Sequence, residues 1–522
     1  GAVIEPGVQE VVRRLNACFA PGAAVSGGVA PANTTSAAAT VEPAAPLAIG
    51  RRLSLALAGT IPSLEEIRQF ERQPSEEAVA WWLDQLLADR RTSDYLAERL
   101  ARAFVGTQEG PFLVFRRRRF VSWLADELHA NRPYDEIVRQ LIASDGLWTS
   151  RPATNFITVT IQPDNDRGPD ANQLAARTAR AFLGIRLDCA ECHDHPFTDW
   201  KQRDFRALAG FFGQAENSLR GIRDHARPAK VANPLTGELE SASAAVPFAA
   251  ELLPAEGPPR ERLARWVTDP ANKTFAQATA NRMWAQLFGR PLIEPIDDIP
   301  LFRTTSDTSG GQADDPATVA LTILADDFVT HGYDLRRLIR TIALSAPFAA
   351  ASRTVEDTAH APDEPWGAFP LTRLRPEQVV GSLLQASSLA TLDYQSHILL
   401  RFARAVGQSE FVTRYGDSGE DEFAPQGGTV PQRLLLMNGE LLKKKTEDNL
   451  VGNAATQIAA LASTDEKAIE TAYLACLTRR PTVLETAHFA ARLADTRGGE
   501  RRERMEDLYW ALLNSTEFAW NH

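Results

Sequence analysis

Leu187 to Trp200 reads L-D-C-A-E-C-H-D-H-P-F-T-D-W. Cys189, Cys192 and His193 stand as C-x-x-C-H, the spacing by which a c-type haem is attached. Two thiols three residues apart lie on one side of a helical turn, where they can form thioethers with the two vinyl groups of one porphyrin. His193 then offers a ring nitrogen to the iron from one face. The chain has four Cys in 522 residues, so chance would produce this spacing on the order of once in a thousand such chains. Two other chemistries stay open at this point, a local disulfide and a thiolate–imidazole site for zinc or copper. Asp194 and His195 extend the cluster. His195 is too near His193 in sequence to reach the opposite face of the same iron, so its expected place, with Asp194, is beside the ligand or the haem edge.

Working outward, both flanks are helical. Leu174, Ala181, Phe182 and Ile185 line one face of the helix before the motif, and Gly184 can end it. Phe205, Leu208, Ala209 and Phe212 repeat at i, i+3, i+4 and i+7 after it. The motif is therefore expected in a tight connection between two helices whose apolar faces wall a porphyrin.

A length of 522 residues suggests two to four domains. With 44% hydrophobic and 24% charged residues the composition is that of a globular protein. The net charge of −11 argues against a surface built for nucleic acid phosphates. No apolar run approaches the ~18 residues of a membrane span, so no transmembrane segment is expected. Thioether attachment implies maturation outside the cytoplasm; the expectation is an exported protein, periplasmic or at the cell surface, with a removed signal peptide before Gly1. Cys18 and Cys476 could pair in such a compartment.

Residues 7–19 read as an amphipathic helix through Val8, Val11, Val12, Leu15 and Phe19. Residues 20–47, rich in Ala, Pro, Gly, Ser and Thr and almost uncharged, read as a linker or an arm that could join copies into a homo-oligomer. Ser63 opens a helix as S-L-E-E. Helical spacing recurs at Trp81–Leu87, Tyr95–Phe104 and Phe120–Leu128. The basic run Arg116–Arg119 reads as a solvated helix face, with a counter-charge for haem propionates or an acidic partner as the alternative. The loop Asp164–Asp170 lacks the glycine position of a calcium loop and reads as a turn. Residues 214–258 read as loop or a small hairpin. Helices return from Arg260, with Gly289 ending Phe275–Phe288 and Asp334 capping the next. Arg303–Pro316 and Tyr415–Val430 are long polar loops.

These stretches resemble a pair of families common in planctomycetes: a cytochrome-like domain and its C-terminal companion of unknown function. The first resemblance runs from R-R-L-S-L-A-L-A-G-T at Arg51, through R-P-Y-D-E-I-V-R-Q-L-I at Arg132, to the motif and K-Q-R-D-F. The second runs from R-L-A-R-W-V-T-D-P-A-N-K at Arg262, through N-R-M-W-A-Q-L-F-G-R-P-L-I-E-P-I-D-D at Asn281 and D-L-R-R-L-I-R-T-I-A-L-S at Asp334. It closes with L-L-N-S-T-E-F-A-W-N-H at Leu512. The resemblance implies export and a haem on Cys189, Cys192 and His193, and brings no settled activity. It covers most of residues 50–522 and leaves out the first 47.

The opposite face of the iron decides the class of function. Two strong axial ligands favour electron transfer; one open position favours small-molecule chemistry. The candidates are Met437, His522, His225 and His129, with a His preferred over Met437. There is no G-x-S-x-G, H-E-x-x-H, phosphate-binding Gly loop or dinucleotide fingerprint.

The sequence thus predicts a mainly α fold with two helical domains, long loops and an N-terminal extended arm. Residues 1–47 form the helix and arm, 48–250 the domain carrying one covalent haem c, and 251–522 the helical companion. The expected function is electron transfer with a protein redox partner. The alternatives are a haem enzyme acting on a small molecule or carbohydrate, and a surface-assembly protein in which haem is secondary.

Overall fold

A computed structural model describes residues 5–20, 42–107, 117–161, 168–194, 200–300, 315–352, 366–392 and 453–522. The described chain is mainly helical, with three short antiparallel pairs of strands. Among these residues no helix is long and apolar enough to cross a membrane.

The helix Pro46–Ala58 lies at the centre. Every residue from Ile49 to Ala58 is buried, including both arginines of R-R-L-S-L-A-L-A. It ends at Gly59, whose positive φ of 67° and approach to the Tyr95 ring leave no room for a side chain. It packs on the helices Ala78–Ala88, Arg90–Val105 and Lys273–Phe288. Leu53 and Leu57 belong to one core, Leu55 to another.

The larger core runs from Leu15 to Phe369. Residues on both sides of position 250 share it, because Lys273–Phe288 packs against Pro46–Ala58 and against the turn Ala179–Leu183 that precedes the motif. Its aromatic centre stacks Trp284 on Phe288 with centroids 4.3 Å apart, edged by Trp366 and Phe348 and stacked again by Phe369. The smaller core joins Leu55 and Ile61 to helices Pro376–Ala386, Ala454–Leu461, Asp465–Leu477 and Gly498–Leu513.

Local signals set the ends of many elements. Ser63 and Glu66 close a reciprocal capping box. Asp334 accepts from the Arg337 N–H, and Gly289 ends Lys273–Phe288 in the left-handed region. The first helix, Pro6–Cys18, buries Val8, Val11 and Leu15 against helices Pro316–Thr330 and Leu335–Ala343. Residues 214–258 hold two hairpins, Ala215–Ser218 with Gly221–Asp224 and Lys230–Ala232 with Leu239–Ser241. The end of the Ala/Pro-rich stretch lies on its own chain: Ala44 N donates to Ala349 O at 2.8 Å, and Ala351 N to Glu42 O at 2.7 Å. Residues 21–41 of that stretch, the loop Tyr415–Val430 and most of Arg303–Pro316 lie outside the described residues.

One expectation is corrected here. Arg117, read as part of a solvated basic face, is buried; its Nε donates to Gly106 O at 2.9 Å and its two terminal nitrogens grip Glu98. Spacing marks a face of a helix but not the carboxylate and carbonyl that another helix brings to it.

At the far end of the smaller core Arg479 bridges Glu485 and Glu517. The bonds from Arg479 hold the Glu485 carboxyl down at about 2. Burial alone would raise Glu517; Arg479 and His522 outweigh it and bring it also to about 2. Both folded-state values lie below the ordinary unfolded value, so this stabilisation is complete above about pH 4.3 and is lost as pH falls toward 2. Protection factors, corrected for the intrinsic pH dependence of amide exchange, should fall in the helix Val483–Leu493 and at Trp520–Asn521 across that window, and R479M should remove much of the dependence. An acid profile unchanged in R479M would contradict the assignment.

Candidate functional site

The motif occupies a short 3₁₀ turn, Asp188–Glu191, continued by Cys192 in helical conformation. Before it, the helix Ala171–Thr178 is capped by Asp170 and tightens into the π-type turn Ala179–Leu183. Gly184 ends that turn at φ 63°, and a side chain there would press on Ile299. Leu187 and Ala190 point into the core, 1% and 0% exposed. Cys189, Cys192, His193 and Asp194 are exposed. Cys189 lies inside the turn and Cys192 closes it, so the two exposed thiols stand three residues apart at its end. Neither is in a disulfide.

The following helix, Gln202–Ala209, fixes this turn. The Gln202 side-chain amide donates to Glu191 O at 3.2 Å and to Cys192 O at 3.0 Å. Its main-chain N–H donates to Asp194 Oδ1 at 3.0 Å and is the main reason the Asp194 carboxyl lies below its usual range. His193 Nδ1 is 2.7 Å from Asp194 O. A carbonyl only accepts, so Nδ1 is the donor, and in the neutral ring Nε2 then keeps the lone pair. That is the arrangement of a metal-ligating imidazole, whose second nitrogen donates to a carbonyl or carboxylate.

The surroundings are mixed in charge. Burial, then the charge of nearby Asp170, raises the Glu191 carboxyl. Lys201 Nζ lies 3.6 Å from Asp194, and Arg180 Nε 3.7 Å from Asp188. Trp200 rests on Phe248, with ring centroids 6.2 Å apart. Its indole nitrogen is buried with no acceptor among the described residues. A buried unmet donor costs about 1–3 kcal/mol. The donor set suits a covalently held haem: two accessible thiols three residues apart and an adjacent imidazole whose Nδ1 is engaged by a carbonyl. Among the described residues no three His, Cys, Asp or Glu side chains gather as a metal site, so the zinc or copper alternative finds no assembled ligand shell there.

The structure thus brings Cys189, Cys192, His193 and Asp194 onto one turn. The ring of His522 lies elsewhere, with Nδ1 3.3 Å from Trp520 O and Nε2 3.7 Å from Glu517. His225 follows the first hairpin; its main-chain N–H donates to Gln214 O, and its ring Nδ1 is buried without a hydrogen-bond partner among the described residues. His129 is exposed, with Nδ1 3.4 Å from Ser93 Oγ. His195 and Met437 lie outside the described residues. Cys18 and Cys476 are free thiols; Cys476 is buried beside Arg51 and Tyr509, and burial pushes its thiol up. Sequence reasoning passed over Gln202, whose only local signal is its place at the start of the helix after the motif.

Two family descriptions match the chain. PSCyt2, a protein of unknown function (DUF1549), matches residues 29–217. PSD1, a protein of unknown function (DUF1553), matches residues 259–408. The chain carries a DUF1549 domain followed by a DUF1553 domain. The PSCyt2 match begins inside the stretch read as an arm, ahead of the resemblance first seen at Arg51, and holds the whole turn. The PSD1 match begins at the helix Pro259–Val267, so the two hairpins lie around the junction. No curated protein and no solved structure matches the chain.

In the full chain prepared without haem and under reducing conditions, a thiol reagent should modify Cys189 and Cys192 first, Cys18 more slowly, and Cys476 only on unfolding. Slow labelling of the motif pair in that chain would contradict their exposed placement.

Proposed function

We propose that this chain is an exported monohaem c-type cytochrome that transfers electrons to or from a protein partner. Cys189 and Cys192 would form the two thioethers and His193 Nε2 would bind the iron. The bound haem would supply one-electron redox chemistry. The observation that carries the reading is the shared exposure of two thiols three residues apart beside an imidazole whose Nδ1 is already engaged. A turn fixed by Leu187 and Ala190 beneath and by Gln202 from the side changes little between two oxidation states. A solvent-facing haem edge would let a partner approach closely, and the mixed charges of Asp188, Glu191, Lys201 and Arg203 would orient it. Asp194 would steady the ligand through its carbonyl.

A second reading has one observation in its favour. The ring of His522, the candidate at the end of the chain, is turned to Trp520 and Glu517. An iron with an open far face would suit a haem enzyme acting on a small molecule or a carbohydrate.

Protein produced in cells able to mature c-type cytochromes should keep its haem absorbance after denaturation and washing, and C189A/C192A should lose it. A low-spin ferric spectrum unmoved by cyanide, with a dithionite-reduced spectrum unmoved by carbon monoxide, supports electron transfer. A high-spin ferric spectrum that shifts with cyanide, or a reduced one that shifts with carbon monoxide, overturns it in favour of the enzyme.

A further inference from the structure

We propose that Gln202 is the positioning residue of the axial histidine, holding His193 in the tautomer that presents Nε2; this rests on the reading of His193 as the iron ligand. The turn Asp188–Glu191 ends one residue before Cys192. A helical turn leaves its last carbonyls without internal partners. The carbonyls of Glu191 and Cys192 are two of these, and both are taken by the Gln202 side chain. A primary amide has two N–H donors, and this one uses both. The Gln202 main-chain N–H is one of the unmet donors at the start of its own helix, and Asp194 Oδ1 takes it. One residue therefore closes three bonds over Glu191, Cys192 and Asp194, the residues that bracket His193. The last link is the 2.7 Å contact from His193 Nδ1 to Asp194 O. That contact needs the Asp194 carbonyl aimed back at the ring, and Gln202 holds the chain leading to it through Glu191 O, Cys192 O and the Asp194 side chain. In free histidine the proton prefers Nε2, the nitrogen that would have to be bare to bind iron. Holding it on Nδ1 is work that the surroundings must do.

Alanine at 202 would remove the two side-chain bonds and keep the main-chain one. Methionine would keep the length and packing while removing only the donors, so it carries the test if alanine loosens the helix. Nitrogen-15 NMR of the haem-free full chain above the titration of its histidines, with His193 assigned through H193N, should find mostly the Nδ1–H form in the native protein. In Q202A and Q202M the ratio should move at least several-fold toward Nε2–H, with melting temperature nearly unchanged. In the haem-loaded chain the same variants should exchange the Nδ1 proton about tenfold faster or more, and their reduction potential should rise, because a weaker bond at Nδ1 makes the imidazole a poorer donor. A residue with a merely structural role would lower the melting temperature and leave tautomer and potential alone. An unchanged tautomer ratio in both variants overturns the proposal. A native chain that takes up no haem defeats the underlying reading instead.

Discussion

Two arginines buried in one helix hold this fold together. Arg51 donates to Cys476 O and Phe518 O, at 3.3 and 3.2 Å. Arg52 donates to His522 O, Phe348 O and Ala350 O at 2.7–2.9 Å and stacks on Phe369. Burial lowers the guanidinium values to about 10 and about 9, so both remain charged at neutral pH. Burying a cation costs several kcal/mol unless its donors are met. Here much of the compensation comes from backbone carbonyls of segments about 300 to 470 residues away. The helix is buried on all sides only with those segments in place, and both cores draw on it.

That constraint reaches the motif through packing. The central helix packs on Lys273–Phe288, which packs on the turn Ala179–Leu183, and that turn leads through Gly184 to Cys189. The candidate site is thus a short exposed turn on a rigid base. The base supplies Leu187 and Ala190 as footing, and the helix after the turn supplies Gln202. Loops set on rigid elements are where reactive side chains are commonly presented. The division of labour is clear: the core fixes where the turn lies, and a handful of hydrogen bonds fix which nitrogen of His193 faces outward.

Much of this was legible in the sequence because it is local. C-x-x-C-H, the capping box at Ser63, the cap at Asp334, and the stops at Gly184 and Gly289 all depend on residues within one or two turns. The apolar faces of the flanking helices followed from periodicity. What stayed hidden depends on distant partners. Nothing near Arg51 and Arg52 in sequence announces five remote carbonyls, and nothing near Arg117 announces Glu98. The sharing of one core across position 250 arises from helix-on-helix contacts that a composition change cannot reveal, although that change does mark the hairpins between the two family matches. Gln202 was missed because its function lies in the geometry of an adjacent turn, where a polar residue at a helix start looks ordinary.

The proposed function requires one porphyrin joined to the two sulfurs of the turn. Intact-mass measurement and peptide mapping of chain exported from cytochrome-maturing cells decide this. The expected mass is that of the chain plus a single haem, localised to the tryptic peptide between Arg186 and Lys201 and absent when both cysteines are replaced. A chain of unmodified mass from those cells, with Cys189 and Cys192 free or joined to each other, would contradict it.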